Sequence, residues 1–216
     1  MRKIAVVLSG CGFKDGAEIT ESVATLIALS EHPVQVQMFA PNMDFHSVNH
    51  LNGESSGTRN VLIEAARIAR GKILDLEDLE SQKFDAVIFP GGYGAATHLC
   101  NFAEKGSVGT VLPKVKSLIL EFHRDGKPIG AFCIAPALIS LVLGGKGVCV
   151  TIGNDSQTAL EITKTGAEHE ITPVTEFISD RENKVVTTPA YMYDDATPFE
   201  VYNGIKNAVK EIVEMA

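Results

Sequence analysis

The residues best suited to chemistry lie around Cys133, which follows a short apolar run. Residues 127–132 read KPIGAF, and an apolar segment suited to a helix follows from Ala135. This order predicts a strand that delivers Cys133 onto a tight turn opening a helix, the geometry of a nucleophile elbow. Because amides at a helix N-terminus carry partial positive charge, we expect them to lower the thiol pKa and favour the thiolate. The alternative is that Cys133 is a small buried hydrophobe at a strand end.

Two glutamates near the start of the chain could carry a proton. Residues 17–30 are predicted to form a helix in which Glu21 shares a stripe with otherwise small residues. A small-residue stripe packs closely, which would desolvate Glu21 and raise its pKa into a range useful for proton transfer. The alternative is that Glu18 and Glu21 are exposed acids favoured by the helix dipole. Larger apolar residues fall on a neighbouring face of the same helix: Ile19, Val23, Leu26 and Ile27.

Two glycine-rich loops could bring backbone amides close to a ligand. Residues 90–94 (PGGYG) follow a buried strand predicted at 84–89, and residues 10–16 (GCGFKDG) follow an apolar run near the start. A glycine pair after a strand lets the backbone approach a ligand and point its amides inward, as in an oxyanion-binding turn. Residues 92–94 could also begin a dinucleotide-binding motif of the type G-x-G-x-x-G, but this interpretation is less favoured because Thr97 occupies the place of the third glycine. A plain tight turn is the remaining alternative.

Composition limits the classes of protein that this chain can be. With 216 residues, of which 45% are hydrophobic, residues 1–216 are expected to form a single α/β domain. The net charge of −8 argues against nucleic acid as a partner. No apolar run approaches the roughly 18 residues of a membrane helix, so no membrane partner is expected. The apolar run after Met1 is too short for a signal peptide, so we expect a mature cytoplasmic protein.

The cysteines and histidines give no pattern typical of a metal site. The four cysteines form no C-x-x-C pair, so they are expected to be reduced and without zinc. Cys149 lies in a predicted strand and is expected in the core. His46 and His50 lie in a polar excursion at 41–57, where no third ligand is near, and are expected to be surface residues.

Alternating strands and helices predict a doubly wound, mostly parallel sheet. In this architecture, ligands bind beyond the carboxyl ends of the strands. Three unusual loops are predicted at such ends: 10–16, 90–94 and 133–136. We therefore expect the fold to bring Cys133 together with the glycine turns, which favours the catalytic interpretation of this cysteine.

Four separated blocks of sequence resemble a known family. They read SGCG followed by DG-x-EI-x-E at 9–21, PGGYGAA at 90–96, CIAP at 133–136 and VTTPA at 186–190. Together with RNVLIEAAR at 59–67, they are similar to the ElbB-like family, named for enhancing lycopene biosynthesis. This family is a branch of the PfpI-like, glutamine-amidotransferase-like superfamily, and the similarity runs from about residue 2 to about residue 213.

The resemblance implies a flavodoxin-like three-layer sandwich, a homodimer, and a glyoxalase-type activity on small dicarbonyls without a cofactor. By position, Cys133 matches the nucleophile of the elbow, and Glu21 matches the glutamate that lies beside it. Gly91, Gly92 and the amide of Ile134 match the backbone that binds the oxyanion. Cys11 and Glu18 are expected just behind these groups.

One position departs from the pattern of many relatives. They carry histidine directly after the nucleophile, whereas this chain has Ile134 there. Without that histidine, a leaving amine would lack its usual proton donor, so hydrolysis of amides is not favoured. Glutamine amidotransfer is not favoured either, because the partner motif His-x-Glu is missing.

The sequence therefore supports two hypotheses of different classes. In the first, Cys133 adds to glyoxal, Glu21 moves a proton between the two carbons, and glycolate is released. In the second, the protein senses oxidants or binds a partner through an oxidisable Cys133, with Cys11 as a resolving thiol.

Overall fold

The computed structural model describes all 216 residues, and a seven-stranded sheet lies at its centre. The strands are β1 (Arg2–Val7), β2 (Val34–Ala40), β3 (Asp44–Val48), β4 (Ser55–Asn60), β5 (Ile73–Asp75), β6 (Ala86–Phe89), β7 (Ile129–Phe132), β8 (Cys149–Val150), β9 (Glu168–His169), β10 (Ile178–Asp180) and β11 (Val185–Thr188). The α-helices are α1 (Ile19–Ser30), α2 (Val61–Ile68), α3 (Tyr93–Thr97), α4 (Phe102–Lys105), α5 (Pro113–Arg124), α6 (Ala135–Leu143), α7 (Ser156–Lys164) and α8 (Pro198–Met215). None of these helices is both long enough and apolar enough to cross a membrane.

The order of strands in the central sheet is β10-β11-β7-β6-β1-β2-β5. All neighbours are parallel except β10, which pairs antiparallel with β11. The four residues of β6 and the four of β7 are all buried, as expected for strands covered on both faces. This sheet confirms the predicted flavodoxin-like α/β fold.

Helices cover both faces of the sheet and enclose two separate cores. Helices α1, α2 and α8 pack on one face, over the side chains of Ile4, Val6 and Ile88. The helices from α3 to α7 contribute to the second core, over Val7, Val87 and Phe89 on the opposite face. The alternation of side chains along β1 and β6 therefore divides the apolar residues between the two layers.

The long final helix α8 shows how sequence fixes one of these elements. Thr197 accepts a hydrogen bond from the backbone of Glu200, and the Glu200 carboxylate accepts one from the backbone of Thr197. This reciprocal capping box, with Pro198 at the first helical position, starts the helix where the sequence predicts it. The buried face of α8 then packs against α1, β7 and β11.

The sheet order brings the unusual loops together. Strands β7, β6 and β1 are adjacent. β7 ends directly before Cys133, β6 ends directly before Pro90, and β1 ends at Val7, with two residues between it and the 10–16 loop. Because the three strands are parallel, these loops leave the same edge of the sheet. The neighbouring strand β11 adds a fourth segment at this edge, residues 189–193.

The structure corrects three expectations. The sequence predicts an irregular excursion at 41–57, but 44–60 contain the antiparallel hairpin β3–β4. Its second strand is polar and largely exposed, so it lacks the apolar alternation that identifies a strand in sequence. Cys149, predicted in the core, is only half-buried, because the adjacent Val150 of β8 faces the core and successive side chains of a strand point to opposite sides. The helix predicted at 17–30 begins at Ile19, after the Glu18 cap.

Candidate functional site

Cys133 lies on a strained turn directly after β7. Its φ angle is +58°, in the left-handed region that non-glycine residues rarely adopt. Its amide donates a hydrogen bond to Thr188 O at 2.9 Å, which ties the turn to the end of β11. Ile134 caps α6, and Pro136 lies in the first turn of that helix. This strand–turn–helix arrangement is the elbow that the sequence predicts.

Glu21 lies completely buried beside this thiol. It is in the first turn of α1, with an exposed fraction of 0%. Its Oε2 accepts a hydrogen bond from Gly91 N at 3.0 Å, and its Oε1 accepts one from Tyr191 N at 3.2 Å. The Cys133 thiol is a further hydrogen-bond partner of the same carboxyl. Three segments that are distant in sequence therefore converge on one carboxyl group.

Burial raises the pKa of Glu21 to about 8, and the charge of nearby Glu18 adds to this effect. Hydrogen bonds from Tyr191, Cys133 and Gly91 act in the opposite direction but do not compensate. A carboxyl with this pKa is mostly neutral at pH 7, yet it can release and recover a proton near that pH. This is the property required of a proton carrier in catalysis.

The electrostatics of the thiol differ from the expectation. The amides of Gly92 and Ile134 face the sulfur and lower the thiol pKa, as predicted from the elbow. Burial and the charge of Glu21 have larger effects, however, and they hold the pKa of Cys133 well above its usual value. The prediction of a resting thiolate is therefore wrong, because full burial is a property of the tertiary structure. Cys133 and Glu21, which we call the pair, are therefore both mainly protonated at neutral pH.

The glycine turn at 91–92 is fixed by close contacts with the pair. A Cβ atom on Gly91 would overlap Cys133 Cβ and lie 2.7 Å from Glu21 Oε2. Gly92 has φ +92°, and a Cβ atom there would overlap the backbone of Gly16 and Glu18. The Gly91 amide already binds Glu21, so the amides of Gly92 and Ile134 are the two that face the sulfur.

The two residues expected behind the pair occupy different places. Glu18 is half-buried at the start of α1, and its Oε2 accepts a hydrogen bond from Glu21 N at 2.7 Å. Burial raises the pKa of Glu18. Cys11 is half-buried and opens into a separate polar cavity of about 230 Å³, together with Asp15 and His50. Since Cys11 does not line the cavity that contains Cys133, the geometry gives no support to Cys11 as its resolving thiol.

Tyr191 contributes a backbone hydrogen bond to Glu21 that is not predicted from the sequence. It follows Ala190, whose φ of +45° is also left-handed, and this turn directs the Tyr191 amide at Glu21. The only available signal was the VTTPA block, which ends at Ala190. A backbone amide carries no side-chain signature, so its role becomes visible only in the folded chain.

A large cavity of about 910 Å³ gives access to Cys133. Cys133, Ile134 and Gly92 line it, whereas Glu21 lies behind the lining and no histidine contributes to it. The absence of histidine from the lining agrees with Ile134 occupying the place of a triad histidine. No group of three or more His, Cys, Asp or Glu side chains is arranged to hold a metal ion.

Comparison with solved structures first defines the class of fold. A ThiJ/PfpI domain protein from Brachyspira murdochii aligns with 99% of this chain and 97% of its own, with a TM-score of 0.59 and 15% identity. The fold is therefore that of the ThiJ/PfpI and DJ-1 proteins, and in this chain it holds an elbow cysteine beside a buried glutamate.

Closer relatives then define the family. The human glutamine amidotransferase-like class 1 domain-containing protein 3, mitochondrial, is 44% identical over 225 residues, covering 99% of this chain and 83% of the human protein. An isoprenoid biosynthesis protein with amidotransferase-like domain from Ehrlichia chaffeensis is 37% identical, with a TM-score of 0.92 over 100% of this chain and 99% of its own. This chain belongs to the glutamine amidotransferase-like class 1 domain family, whose members include the ES1 proteins. No protein-family model matches the chain.

These relatives contradict the expected cytoplasmic location. The human, rat and zebrafish proteins are all named as mitochondrial. The expectation depended on the short apolar run after Met1, which the structure shows to be strand β1. A buried strand of the sheet carries no information about the compartment of the folded protein, so the expectation is wrong.

Proposed function

We propose that this protein is a glyoxalase-type enzyme that converts glyoxal, or a similar small dicarbonyl, to a 2-hydroxy acid such as glycolate. The observation that supports this proposal is the pairing of Cys133 with a buried Glu21 whose pKa is about 8. A thiol supplies the nucleophile for a carbonyl, and the carboxyl supplies a proton carrier with a pKa near neutral pH.

The first step forms a hemithioacetal. With Glu21 ionised, the Cys133 sulfur adds to one carbonyl carbon while the thiol proton passes to the carboxylate. The new C–S bond places negative charge on the former carbonyl oxygen, next to the amides of Gly92 and Ile134 that face the sulfur. Glu21 then gives its proton to this oxygen, which leaves Glu21 ionised again.

The second step moves hydrogen between the two carbons. Glu21 removes the C–H proton from the carbon that carries sulfur, producing an enediolate. The hydroxyl proton on this carbon shifts to the oxygen of the neighbouring carbon, and Glu21 returns its proton to that neighbouring carbon. The product is the Cys133 thioester of glycolate, in which one carbon has been oxidised and the other reduced. Water then cleaves the C–S bond, and the sulfur recovers a proton.

This reaction fits a site without a histidine. No amine has to leave, so no additional proton donor of the triad type is needed. The internal exchange between the two carbons balances the electrons, so the reaction consumes no external oxidant or reductant.

Steady-state turnover of glyoxal tests the proposal. We expect Cys133→Ser and Glu21→Gln each to reduce kcat/KM at least about 100-fold, as is typical for loss of a nucleophile or a proton carrier. Cys149→Ser is the matched control, because it removes a thiol that does not line this cavity. Its turnover should equal that of the unmodified protein.

Full turnover by Cys133→Ser or Glu21→Gln would contradict the mechanism. Selective oxidation of Cys133 by mild peroxide, in a protein that does not turn over glyoxal, would instead favour the redox alternative.

A further inference from the structure

The cavity above Cys133 is far larger than glyoxal requires. Its volume of about 910 Å³ lies in the range of pockets that hold drug-sized ligands. Glyoxal has four non-hydrogen atoms. If each atom occupied about 30 Å³, the volume of one water in the liquid, glyoxal would fill only about a tenth of this cavity. Most of the cavity would then contain water, although the proposed reaction consumes only one water molecule. The volume points to a substrate with a larger body attached to the reacting carbonyl.

The charges that line the cavity are mainly negative. Asp155 and Asp194 line it, and neither forms an ion pair. The one lining cation, Lys105, is already paired with Glu104 at 2.7 Å. A positively charged group in the cavity would therefore gain carboxylate partners, whereas a negatively charged group would meet repulsion.

Aromatic rings give a second, independent indication. Tyr93 and Tyr191 line the cavity, and Tyr93 is 54% exposed. No lysine or arginine lies over either ring, whereas Lys14 lies 5.7 Å from the ring centre of Phe13. Aromatic rings that line the same cavity as carboxylates without a cation partner are the combination that binds ammonium and guanidinium groups.

We propose that the preferred substrate is a dicarbonyl attached to a larger, positively charged body that carries an ammonium or guanidinium group. Asp155 and Asp194 determine this charge preference, and Tyr93 and Tyr191 provide the aromatic surface. The inference rests on the proposed reaction at Cys133 and names the class of substrate for the same site.

A matched series of arylglyoxals tests the inference. Phenylglyoxal is the neutral member, the para-trimethylammoniomethyl derivative is the cation, and the para-carboxylate is the anion. The reacting group is the same in all three, so kcat/KM compares only the body of the substrate. We expect the cation to exceed the anion by at least about tenfold at low salt, because each carboxylate attracts one and repels the other. We also expect this ratio to decrease as salt is added.

Variants identify the residues responsible. Asp155→Asn retains a residue that can cap α7, and Asp194→Asn removes an unpaired charge. Each should reduce the ratio of cation to anion several-fold, because each removes one carboxylate charge from the cavity lining. Asp195→Asn is the matched control, since Asp195 is the exposed neighbour of Asp194 and does not line the cavity. It should leave the ratio unchanged.

The outcomes separate this inference from the proposed function. If glyoxal is turned over but the arylglyoxals are not, or if the anion equals or exceeds the cation, the inference is wrong and the proposed reaction stands. The inference would also be refuted if the ratio of kcat/KM for the cation to that for the anion were the same in Asp194→Asn, Asp155→Asn and Asp195→Asn. If glyoxal and all three arylglyoxals are inert, both the proposed function and the inference fail.

Discussion

The raised pKa of Glu21 predicts how the stability of the protein changes with pH. In the unfolded chain this carboxyl has the usual pKa of 4.5, whereas in the folded protein the value is about 8. Between these values the folded state holds a proton that the unfolded state has lost. Because the unfolded state binds fewer protons, the free energy of unfolding must decrease as pH rises through this window. Glu21→Gln removes the group, so the variant should lack this component.

The expected size of the effect follows from the two pKa values. One proton corresponds to about 1.4 kcal/mol for each pH unit, and the full window corresponds to roughly 5 kcal/mol. The side-chain amide in Glu21→Gln would lose one of the two hydrogen bonds from Gly91 and Tyr191, because its NH₂ group cannot accept from a backbone amide. That loss costs about 1–3 kcal/mol, but the cost does not vary with pH. The slope of the difference between the two proteins is therefore the measured quantity.

Urea titrations from pH 5 to pH 8, under reducing conditions, measure this difference. The free energy of unfolding of the unmodified protein, minus that of Glu21→Gln, should fall by roughly 1.4 kcal/mol for each pH unit. Other titrating groups contribute equally to both proteins and cancel. Cysteines of the unfolded chain remain mostly protonated below pH 8, so Cys133 does not enter this range.

Cys133→Ser provides the control for the thiol. The largest cause of the raised pKa is burial of the carboxyl, which this substitution leaves in place. The free energy of unfolding of Cys133→Ser, minus that of the double variant Cys133→Ser/Glu21→Gln, should therefore fall with pH at the same slope. A difference that stays flat from pH 5 to pH 8 would refute the reasoning, since it would mean that Glu21 is ionised throughout the range.

Three further predictions follow from the same structure. Turnover of glyoxal should rise about tenfold from pH 6 to pH 7 and level off above about pH 8, because the ionised form of Glu21 accepts the proton; a flat profile would contradict this role. Gly91→Ala should abolish turnover and lower the melting temperature, because the new Cβ would overlap Cys133; normal activity would show that the turn can move. Thr197→Ala should reduce the free energy of unfolding by about 1 kcal/mol through loss of the α8 cap, with unchanged turnover; an unchanged unfolding midpoint would contradict the cap.

The sheet and the convergence of its loops could be predicted from sequence because they follow from local patterns. Apolar runs identify buried parallel strands, and the loops at 10–16, 90–94 and 133–136 contain residues that neither a helix nor a strand favours. The hairpin β3–β4 could not be found in this way. Its second strand consists of polar, exposed residues that pair through the backbone, and this pairing has no side-chain pattern.

Helix α1 shows why the buried face of a helix is difficult to predict from hydrophobicity alone. Its larger apolar residues Ile19, Val23 and Ile27 are 41–48% exposed, whereas Ala24 and Ala28 are buried. The helix packs against α8, and its buried face combines these small side chains with Leu29, which is 0% exposed. The sequence left two alternatives open for Glu21, a buried place in the small-residue stripe and an exposed acid in the first helical turn, and the structure shows the first.

The chemical state of the pair could be predicted only in part. The position of Cys133 follows from local sequence and sheet order, and the place of Glu21 beside it follows from the family resemblance, but the protonation of the thiol depends on how completely both groups are buried. Local helix amides predict a lower pKa for Cys133, and the tertiary structure reverses the sign. The Tyr191 amide is likewise a tertiary contribution, set by the strained turn at Ala190.

The three buried glutamates of the chain differ in how their charge is compensated. Glu64 is 6% exposed and is paired with two arginines, and Glu211, at 8%, is paired with Arg181. These pairs compensate for the cost of burying a charge. Glu21 is the most buried of the three, and it has no basic partner, only two amides and the Cys133 thiol. Without a cation beside it, Glu21 has a pKa raised to about 8, which supports its proposed role as a proton carrier next to the Cys133 sulfur.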